Sequence, residues 1–552
     1  MYITKPKRTS SNGKTYETVL LRESYREDGK VKNRTIANLT HCSPADIEAM
    51  EFALKHKNHL GELLSFPEPV TLHEGLSVGA AWTVYQVAQR RGLEKALGKE
   101  FQGQLALYQV MARLIDQGSR LSAVRLAQVQ ALPDVVGMTR GFDEEDLYEN
   151  LHWLTQQQER IETTLFRART KSQKPDLFLY DVTSSYLEGK KNELAAYGYN
   201  RDGKKGKKQI VIGLLCDAEG EPVSVQVFQG NTNDVKTVAD QIQKVAERFA
   251  CPRVTFVGDR GMIKSATIQD LKKEGFHYIT AITKPQIETL LKQGVIQMAF
   301  FDVSLFEVEN GGVRYILRRN PLRADEIAQS RADKQRTIEG YVQKQNDYLA
   351  AHPNARVETA IRRVAMKLVH LKIEAWLRVE AEDRVLKLEV DEERLSEISR
   401  LDGCYVIRTD LSVEEADARV VHDRYKELAE VESAFRISKT GHLELRPIHV
   451  RTEESTRGHV FVVMLAYLIR RSLEKAWRGL NVTVEEGLTQ LATLSSIRLE
   501  VKGKATCHKI PEPREQSRVL LQALNLRMPE TLPHRSLRVV TKKKLQNQRI
   551  TR

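Results

Sequence analysis

The sequence predicts an α/β protein: a mixed sheet of about five strands with helices packed on it. A β-hairpin and a helical region precede this core, and a β-rich insertion interrupts it. Three observations carry the reading. Between residues 175 and 285, strand-like runs alternate with helical stretches, as in layered α/β domains. The second and third runs are separated only by Asp217 to Glu221, so they form a hairpin and the sheet is mixed. The chain has 552 residues, enough for about three or four domains at roughly 150 residues each.

In chain order, residues 1–42 read as a β-hairpin unit rich in Lys and Arg. YETVLLRESY and VKNRTIANL are its strands, joined around Asp28-Gly29. A helix-like stretch, SPADIEAMEFALKHKNHL, and a polar segment with Pro67 and Pro69 follow. Residues 43–170 are helical overall: LSVGAAWTVYQVAQRRGL, QLALYQVMARLIDQG and DEEDLYENLHWLTQQQERIETTLF place apolar residues three or four apart. Asp143 suits the N-cap of the last. Residues 171–285 carry the strand runs DLFLYDV, QIVIGLLCD, PVSVQVFQG, RVTFVGD and HYITAIT. Residues 286–400 read as the insertion, with a hairpin around Gly311-Gly312, a charged helix from about Ala324 to His352, and strands and turns through KLVHLKIEAWLRVEAEDRVLKLEVD. Residues 401–480 return to the core through the strand GCYVIRTD, one long helix containing Glu432, and an apolar helix from about Thr456 to Trp477. Residues 481–552 end in a basic tail (Arg535, Arg538, Lys542, Lys543, Lys544, Arg549, Arg552), expected to be disordered and DNA-seeking.

A hydrophobic content of 41% excludes a disordered chain, and a net charge of +13 favours a polyanionic partner. Cys42, Cys216, Cys251, Cys404 and Cys507 are scattered and form no CxxC pair. That argues against a zinc site or disulfide framework and for a reducing, cytoplasmic setting. The longest apolar run, Val460 to Ile469, is too short to span a bilayer, so no membrane partner is expected.

Three carboxylates carry the chemistry. Asp181 ends the apolar run of FLYD and Asp259 that of VTFVGD, so both are expected just past strand ends, held by rigid backbone. Glu432 lies in the helical pattern RYKELAEVESAFRISK. Two strand-end acids and a helical one can converge on divalent cations, the arrangement of a phosphoryl-transfer nuclease. For either Asp alone, a turn cap is the simpler explanation. Tyr425, Glu432 and Lys439 fall seven residues apart, about two turns, and share one helix face. Arg436, one turn from Glu432, is a candidate phosphate donor; a solvated face with a Glu432–Arg436 pair accounts for the same pattern. In YGYNRDGKKGKKQ, Arg201, Lys204, Lys205, Lys207 and Lys208 stand against the single acid Asp202. They suit a DNA backbone, with Tyr197 and Tyr199 stacking on bases, or simply a solvated loop. Asn231, Asn233 and Asp234 suit a turn and helix cap, or substrate orientation. His449 and His459 lack cysteine partners for zinc and suit packing or DNA contact.

Together these motifs resemble a bacterial insertion-sequence transposase of the DDE type, in the class with the signature Tyr-x2-Arg-x3-Glu-x6-Lys. Tyr425, Glu432 and Lys439 match it; Leu428 stands where the signature has Arg. DVTSS resembles the block of the first Asp and GDRGM that of the second. QGNTNDVKT and RPIHVRTEESTRGHVFVVMLAYL resemble further blocks. The resemblance covers about 175–470, with a weaker match for the N-terminal hairpin. It implies an RNase H-like core with the insertion between the second Asp and the Glu. The spacings agree: 78 residues (259 − 181) between the aspartates, and 173 (432 − 259) to the glutamate. It implies Mg²⁺, with Mn²⁺ able to substitute, held by Asp181, Asp259 and Glu432. Tyr425, Arg436, Lys439 and the cationic loop would contact DNA. The substrates would be double-stranded DNA: terminal inverted repeats, recognised through the N-terminal regions, and target DNA. Hydrolysis at element ends would precede strand transfer, within a homodimer or synaptic complex. Two alternatives stay open: an RNase H-like nuclease that cuts without strand transfer, and a non-catalytic, transposase-derived DNA-binding protein with Leu428 a sign of decay.

Overall fold

The computed structural model describes residues 1–541 apart from 11–12, 14, 28, 57–69, 172–173, 252, 303, 442, 502–504, 534 and 536. Asp28, Pro67, Pro69 and the tail beyond Thr541 therefore lie outside the described residues. The chain divides into two compact units, Met1–Gly75 with Ser496–Lys509, and Leu76–Ser495 with Ile510–Arg552.

In the first unit, strands Tyr2–Thr4, Leu20–Glu27 and Lys30–Asn38 form an antiparallel sheet with Leu20–Glu27 in the middle. Gly29 follows the first strand of the hairpin at φ +75°, a left-handed turn conformation that glycine adopts without steric cost. Val19, Leu39 and Ile47 make a small core with the helix Pro44–His56. Tyr16, Tyr25 and Val31 remain exposed on the sheets. A second sheet joins Val70–Ser77 to the hairpin of Ser495–Val501 and Ala505–Lys509. Within residues 43–170, read as helical, Val70–Ser77 is thus a strand.

The second unit begins with helices, of which α1 (Phe101–Ile115) and α2 (Glu144–Arg169) matter most here. Asp143 caps α2: its carboxylate accepts the Glu145 and Asp146 N–H groups at 2.9 and 3.0 Å. Asp146 accepts the Asp143 N–H in return.

The central sheet has eight strands rather than five. They are β1 (Leu177–Tyr186), β2 (Gln209–Asp217), β3 (Pro222–Gln229), β4 (Thr255–Gly258), β5 (His277–Ala281), β6 (Phe306–Asn310), β7 (Val313–Arg319) and β8 (Cys404–Thr409). Their order is β6-β7-β8-β5-β4-β1-β2-β3. β4 runs parallel to β1 and β5; the other pairings are antiparallel. The added strands are β8 and the Gly311-Gly312 hairpin, which continue the sheet past β5 and cover an edge that would otherwise expose unpaired backbone groups.

Side chains alternate along β1. Phe178, Tyr180 and Val182 pack with Phe256, with Val238 and Ile242 of α3 (Asp234–Gln243), and with Ile268 and Leu271 of α4 (Ser265–Lys273). Leu177 and Leu179 face the opposite side with Val257 and Ile279. Because both faces are covered, these strands read as nearly unbroken apolar runs.

The insertion is mainly helical, which corrects the β-rich expectation. α5 (Pro321–Ala351) has 31 residues and α6 (Val357–Leu371) 15, against a hairpin of two six-residue strands, Leu377–Glu382 and Val385–Val390. Ala360, Val364 and Leu368 recur every four residues and bury one stripe of α6 against Ile338, Val342 and Trp376. Of the run read as strands and turns from Lys367, only Lys367–Leu371 belongs to this helix, and the remainder supplies the hairpin.

The expected single helix around Glu432 is two: α7 (Ala418–Lys426) and α8 (Leu428–Lys439). Val421 and Val431 are both fully buried. Each helix buries its own valine, and the helix breaks between them at Glu427. The apolar helix α9 (Glu453–Trp477) is buried along most of its length and packs against α1 and α2. A Cβ on Gly458 would stand 2.2 Å from the Leu151 carbonyl oxygen of α2. Gly458→Ala should therefore cost about 1–3 kcal/mol of unfolding free energy in denaturant titrations, through forced separation of the two helices.

The tail is ordered further than expected. Arg535 N–H donates to Asp134 and its guanidinium to the Gly137 carbonyl, while Leu537 and Val539 pack on the main core. Among the described residues, no helix is long and apolar enough to cross a membrane.

Candidate active site

Asp181 does not follow a strand end. It is the fifth of ten residues in β1, which continues to Tyr186 because β2 pairs along its whole length. The neighbouring strand β4 stops at Gly258, opposite Tyr180. Asp259, the next residue, therefore comes level with Asp181. Each acid follows, two residues on, a side chain of the face that packs on α8: Leu179 before Asp181, Val257 before Asp259.

α8 lies on that face, burying Val431, Ala434 and Phe435 and leaving Glu432 exposed. Asp181, Asp259 and Glu432 line one open cleft of about 1000 Å³. Tyr425, Arg436, Lys439 and Arg201 line it too, with Asp234, Arg260, Lys284 and Arg323. Lys204, Lys205, Lys207 and Lys208 are not among its lining residues.

Burial raises the Asp181 carboxyl to about 7, and the negative charges of Glu432 and Asp259 push the same way. The Val182 backbone N–H and Arg201 oppose them. The Tyr425 phenol is raised by burial and then by Asp259, so it stays protonated beside that acid. The Arg260 N–H donates to Asp259 at 2.7 Å. Among the described residues, no three His, Cys, Asp or Glu side chains close around a single point. The three acids border the cleft as hard oxygen donors whose mutual repulsion a divalent cation would relieve, so the donor set fits Mg²⁺.

The cationic loop divides into an anchored part and an exposed part. Arg201 donates its backbone N–H to Ser184 Oγ at 2.8 Å and its guanidinium to both Asp234 oxygens at 2.8 and 2.7 Å. Asp202 is almost wholly enclosed. It accepts from Lys439 Nζ at 2.9 Å, from Arg446 Nη1 and from the Tyr186 N–H. Lys439, expected to meet DNA, is thus buried in an ion pair that ties the end of α8 to the loop. Lys204 and Lys205 are exposed; Lys207 pairs with Glu188 at 2.8 Å and Lys208 lies over the Tyr197 ring. Tyr197 and Tyr199 are 67% and 82% exposed, and Arg201 lies over the Tyr199 ring. Arg436 is exposed and donates to Ser433. Leu428 is buried among core residues, so the position where the signature has Arg carries packing here.

Sequence reasoning missed the roles of Asp202, Arg446 and the Arg201–Asp234 fork. The one signal was that Asp202 is the lone acid of the loop. It also missed Tyr405, a cleft residue whose hydroxyl meets His422 Nε2 at 2.8 Å, with Asp423 at 3.1 Å from Nδ1.

A family model described as the transposase DDE domain matches residues 172–469, and one described as the N-terminal domain of IS1634 family transposases matches residues 3–65. No curated protein matches the chain. A solved structure, the cryo-EM structure of a piggyBac transposase synaptic complex with hairpin DNA, aligns at 7% identity. It covers 76% of this chain and 69% of its own, with a TM-score of 0.36. The DDE-domain match spans more than half of the chain, and the chain belongs to the insertion-sequence transposases of the DDE family.

Proposed function

We propose that this transposase cleaves DNA at the ends of its element and joins them to target DNA, with Asp181, Asp259 and Glu432 as the catalytic carboxylates. The observation that carries the reading is the register of β4 on β1: Gly258 opposite Tyr180 sets Asp259 beside Asp181, facing the helix that bears Glu432. The order of β1 to β5, three antiparallel strands followed by two parallel ones, supports an RNase H-like core.

Mg²⁺ or Mn²⁺ bound by the three carboxylates would supply an activated water and a stabilised leaving oxygen. The remaining chemistry belongs to the chain. Asp181 must be ionised to act as a ligand, and its pKa, raised to about 7, sets a proton in competition with the cation near neutral pH. Arg260, Arg436 and Lys426 line the cleft and neutralise the incoming phosphodiester. Tyr425, protonated beside Asp259, donates to a substrate oxygen. Lys439 and Arg201 act as positioning residues through Asp202 and Asp234. Lys204, Lys205, Lys207 and Lys208 track the backbone of flanking DNA, and Tyr197 and Tyr199 stack on an unpaired base. The N-terminal unit recognises the inverted repeats, and two copies of the chain hold two element ends.

The test is incubation of the protein with Mg²⁺, a labelled element end and a plasmid. The expected result is a cut at the end followed by a joined product. Cutting without joining would identify a nuclease, and binding without cutting a non-catalytic DNA-binding protein.

A further inference from the structure

A second pocket, of about 280 Å³, lies where α1, the helix Arg120–Leu126, α9 and the segment after α8 come together. Arg113 and Arg120 line it, and each is 5% exposed. Arg113 Nη1 donates to the Gln117 carbonyl at 2.7 Å. Arg120 Nη2 meets His459 Nδ1 at 3.0 Å. Burial holds the His459 imidazole far below its ordinary range, so the ring is neutral and Nδ1 is the acceptor.

Both guanidinium groups keep a donor in reserve. The Nε of Arg113 and the Nε of Arg120 are buried with no hydrogen-bond partner among the described residues. Burial first, and then the charge of Arg113, drive Arg120 down to about 9. Glu444 and Asp116 act on Arg113 in the other direction; Glu444 is an exposed residue of the same pocket. Two buried cations side by side, each with an idle donor, are costly to fold around. An anion between them would remove both costs.

We propose that this pocket binds a phosphate group. The planar guanidinium fork matches phosphate oxygens, and Arg446 and His449, which also line the pocket, add positive charge or donors. A phosphate can come from the backbone of bound DNA or from free phosphate in solution. The first source rests on the DNA-joining function proposed above; the anion site does not. The pocket also borders the anchored loop, because Arg446 bonds Asp202.

Inorganic phosphate added to the full chain should raise its Tm with the logarithm of phosphate concentration. Two variants separate a site from general salt effects. Arg120→Gln removes one guanidinium and should weaken phosphate binding by roughly 10- to 100-fold. Tyr148→Glu sets an acid on an exposed pocket residue, leaves the buried groups intact, and should weaken binding by roughly 10-fold. It keeps the test decisive if Arg120→Gln does not fold. Identical responses of wild type and Tyr148→Glu to phosphate would overturn the proposal. The salt dependence of binding to an element-end duplex then distinguishes the sources. A slope of log K against log salt reduced by about 1 in Tyr148→Glu identifies the DNA backbone. An unchanged slope with the phosphate response weakened identifies free phosphate. Neither readout depends on cleavage, so loss of the catalytic reading would leave this result standing.

Discussion

Asp181→Asn should abolish cleavage of a labelled element end, by on the order of 10³-fold or more, while binding of that end is unchanged. The amide keeps the shape of the carboxyl but removes a charged ligand. Asp259→Asn and Glu432→Gln should behave alike. Unaltered cleavage in any of the three would refute the assignment. Stability gives a separate readout. Folded Asp181 titrates at about 7, against an ordinary value of 3.8, so the folded chain holds this proton more tightly than the unfolded chain. Its contribution to stability is fully present below about pH 4 and is lost as pH rises through about 7. Wild type should therefore fall relative to Asp181→Asn across that window in denaturant titrations. Mg²⁺ should restore wild type and leave the variant unmoved.

Asp202→Asn should cost about 3 kcal/mol or more, the largest loss expected from a single change behind the cleft. It leaves Lys439, buried, and Arg446 with no shared carboxylate. Burial already lowers the Lys439 pKa, and Asp202 is what opposes that shift. Pairing Asp202→Asn with Lys439→Met should recover part of the loss, because the uncompensated ammonium is gone. Lys439→Met alone should lower cleavage more than end binding, since it frees the end of the helix that carries Glu432. A Tm for Asp202→Asn equal to that of wild type would show that the pair holds nothing in place.

The mixed α/β architecture was legible because β1 and β4 are buried on both faces and read as apolar runs ending in acids. The depth of Asp181 within its strand was not, because β2, a partner 28 residues downstream of it (209 − 181), sets how far β1 continues. Local pattern also hid the break at Glu427. Nothing in ELAEVES signals it: the segment has no Gly or Pro and keeps a helical spacing. The hairpin of the insertion was legible in its alternating run, whereas α6, just before it, was not singled out although its buried residues recur every four positions. The three acids could be chosen, but not the residues that support them. Asp202 reads as a loop acid until Lys439, 237 residues away, is brought against it. Leu428 read as a departure from a signature, and in the fold it fills part of the core.

The most direct measurement replaces Mg²⁺ with Fe²⁺ and ascorbate, which generate radicals where the metal binds and cut the nearby backbone. Mass spectrometry should find the cuts clustered around residues 181, 259 and 432, and Asp259→Asn should remove all three together. Cuts confined to one of these segments, or placed elsewhere in the chain, would contradict a shared metal site.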